Sequence, residues 1–454
     1  MRQKSSPTIA PRLLGLLGLI LGMASLAEAS LAAAESAPVR SDPNLRLAGW
    51  ASLAHDYRTP GPTSGQFISA QNGVSPPFTG AQPIPGFSAL RRLKDGQILG
   101  LPDNGFGTKG NSGDYGLGLY RLTAALDAGR TGQPGAVHIK GFIPLTDPQG
   151  WLRNGRGLDL TITADLSHYR AGAGAGQDTA IPVDPRFTTN RWLTGYDFDV
   201  ESLAIAPDGT FWIGEEFGPW LLHFDSAGRL MGEPVPHPSL ISPANPLAIA
   251  DPSRTTLGGS RGFEALSFDT AGRYLYVTTE SAPSVPALRA VPNDERVVRI
   301  DQFDPVAAAY TGRSFLYRKD GETVGNAVVI GDMVAVGPDQ FILIERDSLS
   351  GDKAQIKRLY GFDLKRVGPD GVLEKVLVAD LLAIPDPDGR GGPLTKAGLF
   401  ALPFDSVESL EVWDATTLLV GIDTNYPGGD GRVTGRPDDT ELVLIRWSGA
   451  LTFP

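Results

Sequence analysis

Residues 195–229 read GYDFDVESLAIAPDGTFWIGEEFGPWLLHFDSAGR. Three short strands follow from this stretch. Ser202–Ala206 is apolar and stops at Pro207-Asp208-Gly209. Thr210–Gly214 is aromatic and β-branched and stops at Glu215-Glu216-Phe217-Gly218. Trp220–Asp225 closes on Ser226-Ala227-Gly228. Apolar runs of about five residues bounded by Pro, Asp and Gly are the mark of antiparallel hairpins. Glu201 stands just before the first strand, and Glu215 and Glu216 stand just after the second. Pairing the two strands brings these ends together, so carboxylates crowd one rim. Like charges at that spacing raise one another's pKa or require a cation.

The unit recurs. Arg261-Gly262-Phe263-Glu264-Ala265-Leu266 opens a second copy, which turns at Ala271-Gly272-Arg273 and ends at Glu280. Ser406-Val407-Glu408-Ser409-Leu410 opens a third, ending at Asp423. Weaker copies run from Phe87 to Asp103-Asn104 and from Val334 to Glu345. From opening position to closing acid the intervals are 14 (201 to 215), 16 (264 to 280), 15 (408 to 423) and 15 (88 to 103). Repetition of one strand-rich unit predicts a radial architecture. The expected fold is all-β: a single β-propeller of six blades, within a range of five to seven. Val137–Ile143 and Leu158–Leu166 read as strands of a further unit, and further blade starts are read at Val297 and Met333. Leu47–Leu53 is a candidate strand to close the ring against the C-terminus, and Tyr57–Pro85 reads as a long loop.

Residues 1–29 have the form of a signal peptide. Arg2, Lys4 and Arg12 precede the apolar run Leu13–Leu26, and Ala27-Glu28-Ala29 offers a cleavage site after Ala29. This divides the chain into a leader and N-terminal loop region over 30–79 and a propeller domain over 80–447. The expected location is the periplasm or the medium. No other apolar run approaches a membrane span. The 454-residue chain carries a net charge of −11, and 56 Gly and 37 Pro supply many turns. Loss of residues 1–29 leaves 37 basic against 50 acidic residues, a charge of −13. That disfavours nucleic acid and anionic membranes as partners and suits divalent cations. There is no Cys, so no disulfide and no lipid anchor on Cys.

Rotational repetition gathers the acids at one mouth. The candidate metal ligands are Asp103, Glu201, Glu215, Glu264, Glu280, Glu345, Glu408 and Asp423, a set of oxygen donors that suits calcium. If extended, Glu215 and Glu216 point to opposite faces, so one of the pair is a ligand. Glu201, Glu216, Lys109 and Arg261 form the candidate catalytic group; Lys109, Arg261 and Arg346, which directly follows Glu345, are the bases near these rims that could hold an anion. The bland alternative is that each acid caps a turn or pairs with a neighbouring Arg. Gly258-Gly259-Ser260-Arg261-Gly262 spells G-x-S-x-G, but a strand rather than a helix follows, so Ser260 is not read as a nucleophile. The AGAGAG run at 171–176 lacks the frame of a dinucleotide site. None of the five His has metal-ligand spacing to another.

The stretches DNGFG (103–107), DVESLAIAPDGTFWIGEEFGP (199–219) and RGFEALSFDTAGRYLYVTTES (261–281) resemble the phytase-like family, described as having esterase-like activity of phytase. The resemblance spans residues 80–447. It implies an exported β-propeller that hydrolyses phosphate esters with calcium. The expected partner is a small-molecule substrate, and the expected state is a monomer. A propeller lactonase and a non-catalytic binding module, with Tyr196, Trp212 and Trp220 as its face, are the alternatives.

Overall fold

The computed structural model describes residues 42, 44–126, 133–153, 160–174, 176–321 and 327–451. The region read as a signal peptide lies outside them. By contacts the chain divides into Met1–Ser36 and Ala37–Pro454, and every described residue belongs to the second unit.

The protein is all-β. Among the described residues, four-stranded antiparallel runs dominate. Sheet I contains Ala89–Arg92, Ile98–Leu101, Gly118–Ala124 and Gly135–Pro144. Sheet II contains Val200–Ile205, Phe211–Glu215, Trp220–Phe224 and Val235–Pro236. Sheet III contains Phe263–Phe268, Leu275–Thr279, Val297–Asp304 and Ala309–Arg318. Sheet IV contains Val329–Gly337, Gln340–Arg346, Lys357–Val367 and Leu373–Asp380. Sheet V contains Val407–Asp414, Thr417–Ile422 and Thr440–Arg446, and its fourth strand is Arg46–Leu53 from the other end of the chain. Sheets V and I are joined along one edge by the parallel pairs Ala51–Gly135 and Ser52–Ala136.

Turn chemistry accounts for the tight connections. Gly209 adopts φ +86° and donates its N–H to the Ala206 carbonyl, while the Asp208 carboxylate accepts from the Thr210 N–H. Gly228 and Gly272 repeat the device with φ +78° and +67°. Such positive φ values favour glycine.

The first strands of the five sheets touch one another in cyclic order, I to II to III to IV to V and back to I. An apolar core fills each neighbouring pair. Leu99, Leu101, Leu203 and Ile213 pack between I and II; Ala204, Trp212, Leu266 and Val277 between II and III; Ala265, Tyr276, Met333 and Phe341 between III and IV; Ile342, Leu359, Val407 and Leu418 between IV and V; Leu90, Ile98, Leu419 and Leu444 between V and I.

Two expected blade starts fall within sheets begun earlier. Gly135–Pro144 is the outer strand of sheet I, and Val297–Asp304 is the third strand of sheet III. The described part of 158–166 holds a short 3-10 turn at Thr163–Asp165 rather than a strand. The closing strand read from the sequence is present: Arg46–Leu53 pairs antiparallel with Thr440–Arg446. The stretch read as a loop over Tyr57–Pro85 carries a small hairpin, Arg58–Pro60 against Ala81–Pro83.

Candidate functional site

Where the five first strands converge, one side of the ring opens into a cavity of roughly 170 Å³. Its wall includes nine carboxylates: Asp103, Asp199, Glu201, Glu216, Glu264, Glu280, Asp405, Glu408 and Asp423. Against them stand two guanidinium groups, Arg261 and Arg346.

Two features of the strands bring the acids here. The first is a β-bulge repeated in three sheets. Register shifts between Val200 and Ser202, between Phe263 and Ala265, and between Val407 and Ser409 leave Glu201, Glu264 and Glu408 as the extra residues. A bulge bends the strand and re-aims one side chain; here it turns three glutamates to one cavity. The second is strand alternation. Leu101, Gly214, Thr278 and Gly421 occupy matching positions opposite Ala89, Ser202, Ala265 and Ser409. Two residues further on stand Asp103, Glu216, Glu280 and Asp423, all facing the cavity. In sheet IV Ile330 pairs with Glu345 as Val200 pairs with Glu215, which puts Arg346 in the place of Glu216.

The same alternation removes two expected ligands. Glu215 does not line the cavity. Its two oxygens accept from the Phe217, Gly218 and Trp220 N–H groups at 2.9, 2.7 and 2.9 Å, clamping the turn between two strands. Glu345 is also turned away. It accepts from the Tyr317 hydroxyl at 2.6 Å and the Asp320 N–H at 2.7 Å, and it pairs with Lys375. In each case the next residue, Glu216 or Arg346, is the one that faces inward.

Lys109 does not line the acid cavity either. Its ammonium donates to the Tyr196 carbonyl and lies over the Tyr196 and Phe217 rings, 4.2 and 4.9 Å from their centroids. Burial lowers its pKa to about 8. It lines a neighbouring depression with Phe67, Gly110 and Gly172. Arg261 is at the cavity, half-exposed and paired with Glu280.

The structure adds Asp199, which sequence reasoning passed over. Asp199 lies two residues before Glu201, just ahead of the strand Val200–Ile205, and an acid so near Glu201 was the available signal. Its carboxylate accepts from the Asn104 amide at 2.6 Å. Oxygens of Asp103, Asp199 and Glu201 lie within 4.8 Å of one another, as do oxygens of Glu201, Glu264 and Glu408. Burial pushes Asp103 up to about 8, with Asp199 adding to the shift, and Asp199 up to about 6. Glu201 is raised well above the carboxylate range by burial and then by Asp199, Glu264, Glu408 and Glu216.

Arg346 organises the opposite side. Its Nη2 lies 2.5 Å from Glu408, 3.2 Å from Glu280 and 3.7 Å from Glu264, and its Nη1 lies 3.8 Å from Asp405. Burial alone would lower its pKa, but Glu408, Glu280 and Glu264 override that and hold it charged.

The family model described as "Phytase-like: Esterase-like activity of phytase" matches residues 82–426, well over half of the chain. The chain belongs to the phytase-like family. The matched span contains every cavity carboxylate named above. This phytase-like chain is also 28% identical over 216 residues to an "Uncharacterized secreted protein" of Arthroderma benhamiae, covering 41% of this chain and 40% of that one. The chain therefore spans about two fifths of the length of the curated relative it matches. Among solved structures, it is similar to the PQQ-bound aldose sugar dehydrogenase of Streptomyces coelicolor (12% identity, 88% of this chain and 100% of that one, TM-score 0.34). It is also similar to a luciferin-regenerating enzyme (9%, 81% and 93%, 0.37) and to a putative 6-phosphogluconolactonase from Bacteroides uniformis (15%, 84% and 93%, 0.30).

Proposed function

We propose that this phytase-like protein is an exported, five-bladed propeller that hydrolyses phosphate esters with the help of a divalent cation held in the acid cavity. The carrying observation is the charge of that cavity: nine carboxylates face two guanidinium groups. Burying so many acids without a counter-charge is costly. Five sheets with an apolar core between each neighbouring pair support a count of five rather than the six read from the sequence. The fungal relative named as secreted supports export, with the segment ending near Ala29 as its signal.

The donor set fits a calcium ion. All donors are oxygens, the type that selects calcium. Two oxygens each about 2.4 Å from one ion lie at most about 4.8 Å apart, and both carboxylate groups keep within 4.8 Å. Asp103, Asp199 and Glu201, the group that pairs with no guanidinium among the described residues, are the residues that would hold it. Such an ion supplies positive charge to a phosphate oxygen and makes a nearby water a stronger acid.

The chain's own groups do the rest. Glu216, oriented by the Gly262 N–H at 2.9 Å, faces the cavity as the acceptor of the attacking water's proton. Arg261 keeps donors free beyond its contact with Glu280 and offers them to the phosphate. A cavity of roughly 170 Å³ is smaller than the ~300–1,000 Å³ of sites that enclose whole ligands. It takes the phosphoryl end, and the organic part of a small-molecule ester stays at the rim. The protein acts as a monomer, without nucleic acid or membrane as partner.

The test is hydrolysis of phosphate monoesters by the purified protein with calcium and with excess chelator, alongside a panel of lactones. Calcium-dependent phosphate release that Glu201→Gln abolishes is expected. Lactone turnover alone, or no turnover of any ester, overturns the reading.

A further inference from the structure

The ring is asymmetric in a way that bears on how many ions it holds. Four sheets place an acid at the inward position beyond the second strand, and sheet IV places Arg346. At the bulge position, sheets II, III and V carry Glu201, Glu264 and Glu408, while the matching residue of sheet IV is Gly331. Gly331 leaves no side chain there, and a Cβ would sit 3.0 Å from the Val407 carbonyl oxygen. Sheet IV thus contributes one side chain to the cavity wall at these two positions, and it is a cation.

The two carboxylate groups are consequently in different states. Glu264 and Glu408 lie within 4 Å of the Arg346 guanidinium, as does Glu280. Asp103, Asp199 and Glu201 take part in no ion pair among the described residues. Glu201 is the decisive member. It is 8% exposed, it lines the cavity, and no N–H, alcohol or guanidinium among the described residues reaches its carboxylate. What faces it instead is carboxyl: oxygens of Asp103 and Asp199, and of Glu264 and Glu408, lie within 4.8 Å of its own. A buried carboxylate left without a donor lacks the partner that burial demands.

We propose that the protein binds one divalent cation, held to one side of the ring by Asp103, Asp199 and Glu201, and that Arg346 is a built-in cation filling the Glu264–Glu408 side against a second ion. The proposal rests on the cation-dependent reading above and adds to it the number of ions and the part played by Arg346. It also divides the labour around the cavity: the ion neutralises the side of sheets I and II, and the guanidinium neutralises the side of sheets III to V.

The experiment is calcium titration by calorimetry, with metal analysis of the equilibrated protein. One ion per chain is expected for the wild type and for Arg346→Lys. Arg346→Met, prepared in calcium, is expected to hold two, because it frees Glu264, Glu280 and Glu408. Asp199→Asn is expected to weaken binding by at least the roughly 10–100-fold that loss of an outer-shell partner costs. Glu408→Gln leaves the buried arginine other partners and is expected to keep one ion at wild-type affinity, which tests the assignment even if Arg346→Met does not fold. Two ions in the wild type, one in a folded Arg346→Met, or loss of binding in Glu408→Gln overturns this inference while leaving a cation-dependent hydrolase standing. A wild type that binds no ion removes both.

Discussion

Glu215 and Glu216 are adjacent in sequence and opposite in role. Glu215 accepts three backbone N–H groups with both oxygens and ties the end of one strand to the start of the next. Burial pushes its pKa up to about 8 and the three amide donors pull it down, so the turn is built for an acceptor at both oxygens. Glu216 uses one oxygen on the Gly262 N–H and faces the cavity. Glu215→Gln turns an NH2 group toward amide donors. The expected loss is about 1–3 kcal/mol of stability, read by denaturant unfolding, with calcium stoichiometry unchanged. Glu216→Gln keeps an oxygen for Gly262, so stability is expected to hold while phosphate release falls by the ~10²–10⁴-fold typical of a lost proton acceptor. The opposite pattern would reverse the two assignments.

The strands are where the sequence was most legible. The turn triplets Pro207-Asp208-Gly209 and Ala271-Gly272-Arg273 placed hairpins correctly, and the 14–16-residue interval placed Glu201, Glu264, Glu408, Glu280 and Asp423 on one cavity. Glu215 and Glu345 were misplaced by a single residue, because alternation sends neighbours to opposite faces and the three bulges shift the local count. Arg346 was visible as a base beside an acid, but its role depends on Glu264, Glu280 and Glu408, which are distant in sequence. Strands outside the repeat were harder. Val137–Ile143 pairs within sheet I across a connection that carries no acid signature. The closing strand is the element with the clearest consequence. Leu47, Trp50, Ala51 and Leu53 are buried against Thr440–Arg446 and its neighbours. At ~1.5–3 kcal/mol per large apolar side chain, their removal approaches the ~5–15 kcal/mol of a whole domain. A chain beginning at Ala54 is expected to lose its cooperative melt and aggregate through the bared edge of Thr440–Arg446, while one beginning at Pro43 is expected to melt within a few degrees of the full-length protein.

At the scale of the whole molecule, the buried acids of the cavity tie stability to pH, and the proposed cation would tie it to calcium as well. Asp103 and Asp199 have pKa values raised by burial to about 8 and about 6, and Glu201, Glu216, Glu264 and Asp423 are raised well above the usual range. In the unfolded chain these groups titrate near ~4. Between that value and the folded ones the native state binds more protons than the unfolded state, so stability falls as pH rises. The protonated cavity is therefore most stable below about pH 4 as far as these groups are concerned, and that contribution is lost between about pH 4 and 8. Other carboxylates set the usual acid limit: Asp294, held at about 2 by Arg296 and Arg318, contributes stability that is full above its unfolded value and is lost as pH falls from about 4 to about 2. A cation reverses the slope, because it binds the ionised carboxylates and is expelled by protons. With chelator present, the melting temperature is expected to fall from pH 5 to pH 8. With millimolar calcium it is expected to rise over the same interval, and the gap between the two curves is expected to widen with pH. Asp199→Asn is expected to narrow that gap, and two parallel curves for the wild type would mean that the buried acids keep their protons and take up no ion.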